Sequence, residues 1–268
     1  MFRLQSKVIP PDAPALRAAL EESLRRVVRP AAEMVTVKDR QYPKLASIQV
    51  SLDGADAGER PPPRPAPPVG EVEPGLEVEN LAISGRPILV QGAKVELTCT
   101  AREVRIGQGR DADGNLLLVL QDAAEGHIEL SVALADLEAL VLASAKAQAD
   151  KQGVTIEDLR IELQSRSAHA LDAIVQVRAK KLFLNTTVRV SGSVEVDEQL
   201  QARIFGLECQ GEGPFGTLAC GFITPHLERM NGRNFSLMAL PLGELKLRDL
   251  RIATGPELRV TAQFCHAT

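Results

Sequence analysis

Side chains able to do chemistry are sparse in this chain, and their spacing argues against catalysis. The four histidines, His127, His169, His226 and His266, stand far apart. None lies beside a nucleophile or at the spacing of a metal pair, so each reads as a surface or loop residue. Ser131 and Ser236 lack the Gly-x-Ser-x-Gly elbow that exposes a hydrolase nucleophile. Gly211-Glu-Gly-Pro-Phe-Gly216 is rich in glycine, yet no Lys-Ser/Thr follows and Pro214 removes one of the amides a phosphate would need. Asp111-x-Asp113-Gly114-Asn115 has the flavour of a calcium loop, but no Glu closes it, and a hairpin turn is the better reading. The pair Glu21-Glu22 reads as the solvated face of a helix. Cys99, Cys209, Cys220 and Cys265 show no Cys-x-x-Cys or Cys/His ligand pattern, which argues against zinc. Buried free thiols are expected of them, with one disulfide compatible with an oxidising compartment. The expectation is a protein without catalytic residues, metal or cofactor.

Composition narrows the remaining classes. The chain has 268 residues, 44% hydrophobic and 25% charged, as a folded globular protein does. Aromatics are only 3%, so the interior must be built from Leu, Val, Ile and Ala. A net charge of −4 argues against a nucleic-acid partner. Residues 1–30 run the other way, with six basic side chains against three acidic ones. Arg17, Arg25, Arg26 and Arg29 therefore mark this segment as the candidate contact with an anionic membrane surface. No apolar run approaches the roughly 20 residues that span a bilayer, and Met1–Pro10 lacks a signal-peptide core. As written, the sequence suggests a cytoplasmic or peripheral membrane location.

The elements that would position these residues are mostly strands. Pro14–Val28 is an amphipathic helix, with Leu16, Leu20, Leu24 and Val27 on one face and Pro14 in its first turn. Leu45–Leu52 alternates as a strand. Residues 55–74 form a loop insertion holding six prolines between Pro61 and Pro68, which fits polyproline II and mobility. Ile128, Leu130, Val132 and Leu134 alternate into a second helix, Leu134–Gln152, where Leu137, Leu140 and Val141 keep helical spacing. Leu171–Val177 and Leu182–Val196 supply further strands, with Val175 and Val177 facing inward and Ser191-Gly192-Ser193 a tight turn or a bend. A third helix, Thr217–Asn231, contains Phe222 and the kinking Pro225, and Gly232 caps it.

A repeated pattern suggests curvature. Leu76-x-Val78-x-Asn80-Leu81-x-Ile83, Val154-x-Ile156-x-Asp158-Leu159-x-Ile161 and Leu245-x-Leu247-x-Asp249-Leu250-x-Ile252 all change apolar parity after Asn or Asp. Residues 95–106 and 200–209 change parity too. A strand has side-chain period two, so each change calls for an extra residue, a β-bulge, to keep the apolar face inward.

Gly232-Arg-Asn-Phe-Ser-Leu-Met-Ala-Leu-Pro-Leu-Gly243, Leu247-Arg-Asp-Leu250, Leu258-Arg-Val-Thr-Ala262 and Ser131-Val-Ala-Leu-Ala-Asp-Leu-Glu-Ala-Leu140 resemble the LmeA-type phospholipid-binding family, related to the tubular lipid-binding (TULIP) superfamily. The resemblance covers about residues 76–268. It implies a single α+β domain over residues 1–268, with a strongly curved antiparallel sheet wrapped around the central helix and an N-terminal amphipathic helix outside it. It also implies an apolar groove for phospholipid or another fatty-acyl lipid, with Leu130, Val132, Leu137, Leu140, Val141, Val175, Val177 and Phe222 as its lining. The alternative from another class is an interaction module with a filled core and a protein partner at the proline-rich loop.

Overall fold

The computed structural model describes residues 1–58, 66–150, 153–181, 184–197, 201–236 and 246–265. In chain order the elements are β1 (Phe2–Arg3), α1 (Ala13–Arg25), β2 (Val35–Gln41), β3 (Lys44–Ser51), β4 (Glu73–Val90), β5 (Ala93–Arg110), β6 (Leu116–Asp122) and β7 (Glu125–Ala133). There follow α2 (Leu134–Ala149), β8 (Thr155–Ser167), β9 (Ala170–Lys181), β10 (Leu184–Val196) and β11 (Gln201–Gly211). The chain continues with α3 (Gly213–Met230), β12 (Asn234–Ser236), β13 (Lys246–Ala253) and β14 (Glu257–Cys265). The class is α+β, mostly strand, and among the described residues neither sheet closes. Two compact units divide the chain. Met1–Ser131, Met238–Asp249 and Thr261–Thr268 form the first, and Val132–Leu237 with Leu250–Val260 form the second.

The larger sheet has the order β13-β14-β7-β5-β4-β3-β2, with β6 paired to β5 and β1 to β6. Contrary to expectation it is not purely antiparallel, because β3 and β4 run parallel. A parallel pair needs a connection of about a dozen residues or more to bring the chain back to the same end, and the proline-bearing segment is that connection. Residues 59–65, the heart of the proline run, lie outside the described residues. Its described flanks are hydrogen-bonded to neighbouring segments. Ala55 is buried, Asp56 bridges Arg29 and Leu89, and the Val69 amide donates to Arg110 O at 2.7 Å. The core of the first unit is aliphatic, as the composition requires. Leu4, Leu16, Leu45, Leu76, Val78, Val104, Leu116 and Leu117 are all fully buried, and each such side chain removed from water contributes about 1.5–3 kcal/mol.

Helix α1 forms where its spacing predicts. Asp12 caps it by accepting from the Ala15 amide at 2.8 Å, Pro14 sits in the first turn, and Leu16 and Leu20 go into the core. Its acidic pair is not simply solvated. Glu21 accepts the backbone amides of Met34 and Val35 at 3.1 and 3.0 Å through one oxygen, and Arg25 at 2.8 Å through the other. A helix carboxylate thereby satisfies two N–H groups at the start of the edge strand β2. Between β5 and β6, Asp111 and Asn115 build the expected hairpin turn. The Asp111 carboxylate accepts from the amides of Asp113 and Asn115 and from the Asn115 side chain, all within 3.0 Å. Burial works against ionisation of Asp111, but these hydrogen bonds, with the charge of Arg3, outweigh it and hold its pKa below the ordinary carboxylate value.

The smaller sheet is an antiparallel meander, β12-β11-β10-β9-β8, within the second unit. The parity changes are realised in three ways. In β8 the register against β9 slips between Ile156 and Asp158, a bulge at the expected place. In β11 the slip lies opposite Ser191 and Ser193, where Gly206 takes a φ of 63° that glycine adopts without strain. Ser191-Gly192-Ser193 is therefore a bend within β10 and not a turn. Near Asn80 no register slips at all. Leu45 pairs Val78 and Ser47 pairs Asn80, while Val78 pairs Val104 and Asn80 pairs Arg102. Three adjacent strands step past the same level together, at Ala46, Glu79 and Glu103, and Glu103 takes a left-handed φ of 51° there. The sheet is creased across its strands. In β13, Asp249 has a left-handed φ of 48° at the expected position.

Candidate functional site

In the second unit, directly opposed residues of neighbouring strands share a face. Ile161, Val175, Val190 and Cys209 form one cross-strand row, and Leu159, Val177, Val188 and Gly211 the next. Leu163, Ala173 and Gly192 follow, then Leu171, Val194 and Ile204. This is one apolar face, and Val175 and Val177 lie at its centre, as alternation predicts. Its β8 margin is buried at Ile156, Leu159 and Ile161. Toward the middle Leu163, Ala173, Val175, Val177, Val190, Val194 and Leu207 are only half-buried.

Two helices border that face. Helix α2 packs against β8, and Glu138 accepts the Ile161 amide at 2.8 Å. Leu137, Leu140 and Val141 are half-buried, and no described side chain of α2 is fully buried. The expected helix covered by sheet is therefore not what α2 shows within its unit; it lies along an edge strand. Residues 151 and 152 of that expected helix lie outside the described residues.

Helix α3 begins four residues earlier than spacing predicts, with Pro214 in its first turn and Gly232 after it at a φ of 75°. It packs on β10 and β11 through its small residues. A Cβ added at Gly216 would lie 2.6 Å from the Gly211 carbonyl carbon, so only two glycines permit this approach. Cys209 and Cys220 form a disulfide with Cα atoms 5.5 Å apart, which overturns the expectation of free thiols for this pair. The reason is geometric. Cys209 lies on the apolar face of β11 and Cys220 on the inner face of α3, and no sequence spacing encodes that meeting. Cys99 keeps a free thiol, and burial pushes its pKa up.

The other candidate lining residues separate. Val132 is buried. Leu130 belongs to the first unit and is 39% exposed. Phe222 points away from the sheet and is 78% exposed. On the opposite, polar face of the smaller sheet one cluster pairs among its own groups. Arg166 and Arg203 stack over Phe205 at 5.4 and 6.0 Å, while Asp172 takes Arg166 at 3.0 Å and Ser193 at 2.6 Å.

The first unit carries a cleft of about 740 Å³ along its crease. Leu45, Val78 and Val104 contribute to its lining, with Arg40, Lys44 and Arg105 among its charged residues. Those cations are paired to Glu79, Glu77 and Asp122. The three cations are neutralised by these partners, and Glu103 adds a fourth carboxylate, so the cleft offers no convergent set of free cations to an anionic substrate. The basic residues of α1 are engaged in the same way, Arg17 with Glu33, Arg25 with Glu21 and Arg26 with Glu22. Arg29 is exposed and makes a backbone bridge to Asp56. No helix among the described residues is long and apolar enough to cross a membrane. No protein-family model, curated protein or solved structure matches the chain.

Proposed function

We propose that this chain binds phospholipid or another acyl-chain lipid without catalysis, against the apolar face of the smaller sheet. The observation that carries the reading is the half-buried centre of that face, from Leu163 through Val175 to Val190 and Leu207. Aliphatic rows of this kind normally close on a partner layer, because burial of apolar area drives folding. Acyl chains would complete that layer with the same chemistry as the Val and Leu side chains that await it. The resemblance to the LmeA-type family, and the strongly curved TULIP-like shell it implies, belong to this proposal. Bulges in β8 and β11 support curvature, since each bends and twists its strand. The Cys209–Cys220 disulfide favours an oxidising compartment over the cytoplasm.

Denaturing mass spectrometry of lipid co-purifying with the protein tests the reading, together with Val175→Trp. In a closed core the larger ring costs about 1–3 kcal/mol through overpacking. In an acyl site the ring takes the volume of a chain, so lipid content falls while the lipid-free protein keeps its stability. Unchanged lipid content with clear destabilisation rejects the lipid reading in favour of a filled interaction module.

A further inference from the structure

We infer that α3 is a docking surface for an anionic lipid bilayer, held in place by its disulfide with its apolar side outward. On a helix with about 100° per residue, Phe215, Leu218, Phe222, His226, Arg229 and Met230 fall in one arc of roughly 120°. Phe215, Leu218, Phe222 and Met230 are 47, 60, 78 and 42% exposed. Among the described residues these are half of the large apolar side chains that stand in solvent. The chain has only seven Phe and no Trp, so placing two Phe in solvent on one arc is not incidental composition.

The charge pattern selects the occupant. From Gly213 to Pro225 the helix has no ionisable side chain apart from the bonded Cys220, and the only formal cation in the arc is Arg229, beside His226. Glu228, the only acid within the helix, lies on the other side. Arg233, exposed, follows three residues after Met230, the end of the helix. An apolar stripe closed at one end by cations fits the boundary between acyl chains and anionic phosphates. A second copy of α3 would instead bring Arg229 against a stripe with no carboxylate from Gly213 to Met230 in its arc, the nearest being the cap Glu212 before it. The disulfide and the Gly211–Gly216 contact hold the small face inward, so the stripe cannot turn into the sheet.

This inference rests on the lipid reading for its purpose, but its test is independent of acyl binding. Phe222→Trp places a single tryptophan in an otherwise Trp-free chain. Mixed with vesicles of equal parts phosphatidylglycerol and phosphatidylcholine, its emission should shift to the blue. Co-sedimentation with the same vesicles should fall about tenfold or more for Leu218→Asp and Phe222→Asp. It should fall less for Arg229→Glu and not at all for Arg102→Glu, an exposed cation of β5. These positions are exposed, and circular dichroism is the check that each variant folds. Docking without co-purified lipid in the wild type sinks the acyl-site reading and leaves α3 standing. Unmoved emission from the introduced tryptophan, with vesicle binding unchanged in both Asp variants, overturns the inference. Self-association abolished by Leu218→Asp, without vesicle binding, overturns it in favour of a second copy.

Discussion

Helices α1 and α3 share an amphipathic spacing and use it in opposite senses. In α1 the large apolar residues go in, and the polar face is tied down by Glu33, Glu21 and Glu22. In α3 the small residues go in, with only Gly216 and Cys220 buried, and the large ones stay out. The inversion follows from the approach distance. Where two backbones meet at Gly211 and Gly216, a Leu or Phe has no room, so the face with the least side chain wins. Amphipathicity tells which residues share a side of a helix; the packing surface decides which side is the inside.

Truncating one leucine in each helix puts the contrast at greatest risk. Leu16→Ala in α1 should cost about 2–5 kcal/mol, as core truncations do, whereas Leu218→Ala in α3 should stay within about 0.5 kcal/mol. Urea unfolding measures both, and similar losses would mean that α3 is not inverted. Next is the covalent clamp. Replacing Cys209 and Cys220 by Ser opens a loop with sequence separation 11 and should cost about 2–3 kcal/mol. Wild type measured in reductant should match the double variant, and no such counterpart exists for α1.

Smaller effects test the polar anchoring. Glu21→Ala leaves the Met34 and Val35 amides without their acceptor and should cost about 1–3 kcal/mol, with faster hydrogen exchange at those two amides. Normal protection there would show that water replaces the carboxylate freely. The smallest effect is pH-dependent. The folded pKa of Asp111 is lowered, so its contribution is complete above the unfolded carboxylate value, about 3.9, and is lost as pH falls through the folded value. Unfolding midpoints measured from pH 6 to pH 3 should therefore fall more steeply for wild type than for Asp111→Asn. Parallel curves would show that Asp111 titrates alike in both states.

What the sequence disclosed and what it withheld divide by range. Period and a first-turn proline located α1, alternation located several strands, and turn chemistry located the Asp111 hairpin, because these depend on residues a few positions apart. Parity changes located the bulge at Asp158 and the left-handed Asp249, although the same signal at Asn80 became a crease shared by three strands. A single sequence does not show that neighbours step together, so a register slip and a crease look alike in it. The disulfide, the Glu21 contacts with the β2 amides, the Glu138 contact and the ion pairs of the cleft join residues from 11 to 39 positions apart. Phe222 failed as a lining residue for the reason α3 is inverted: its periodicity fits both faces. Pro241-Leu242-Gly243, central to the family resemblance, lies outside the described residues.

Glu138 has a consequence for how the protein behaves in a crowd. An edge strand with free amides is a template on which another chain can add itself, and long apolar strands such as β8 are the most hazardous. Along β8, Glu138 takes the Ile161 amide and the Thr254 hydroxyl takes that of Ser165, while Ile252 donates to Ala168 just beyond the strand. Two amides of that edge are taken by groups of the same chain, so growth by strand addition is hindered there. A carboxylate does this better than an amide, because it offers acceptors alone and repels the carbonyls of an incoming strand. Glu138 thus contributes to solubility as well as to fold, and its loss should appear as fibrous aggregation before it appears as unfolding.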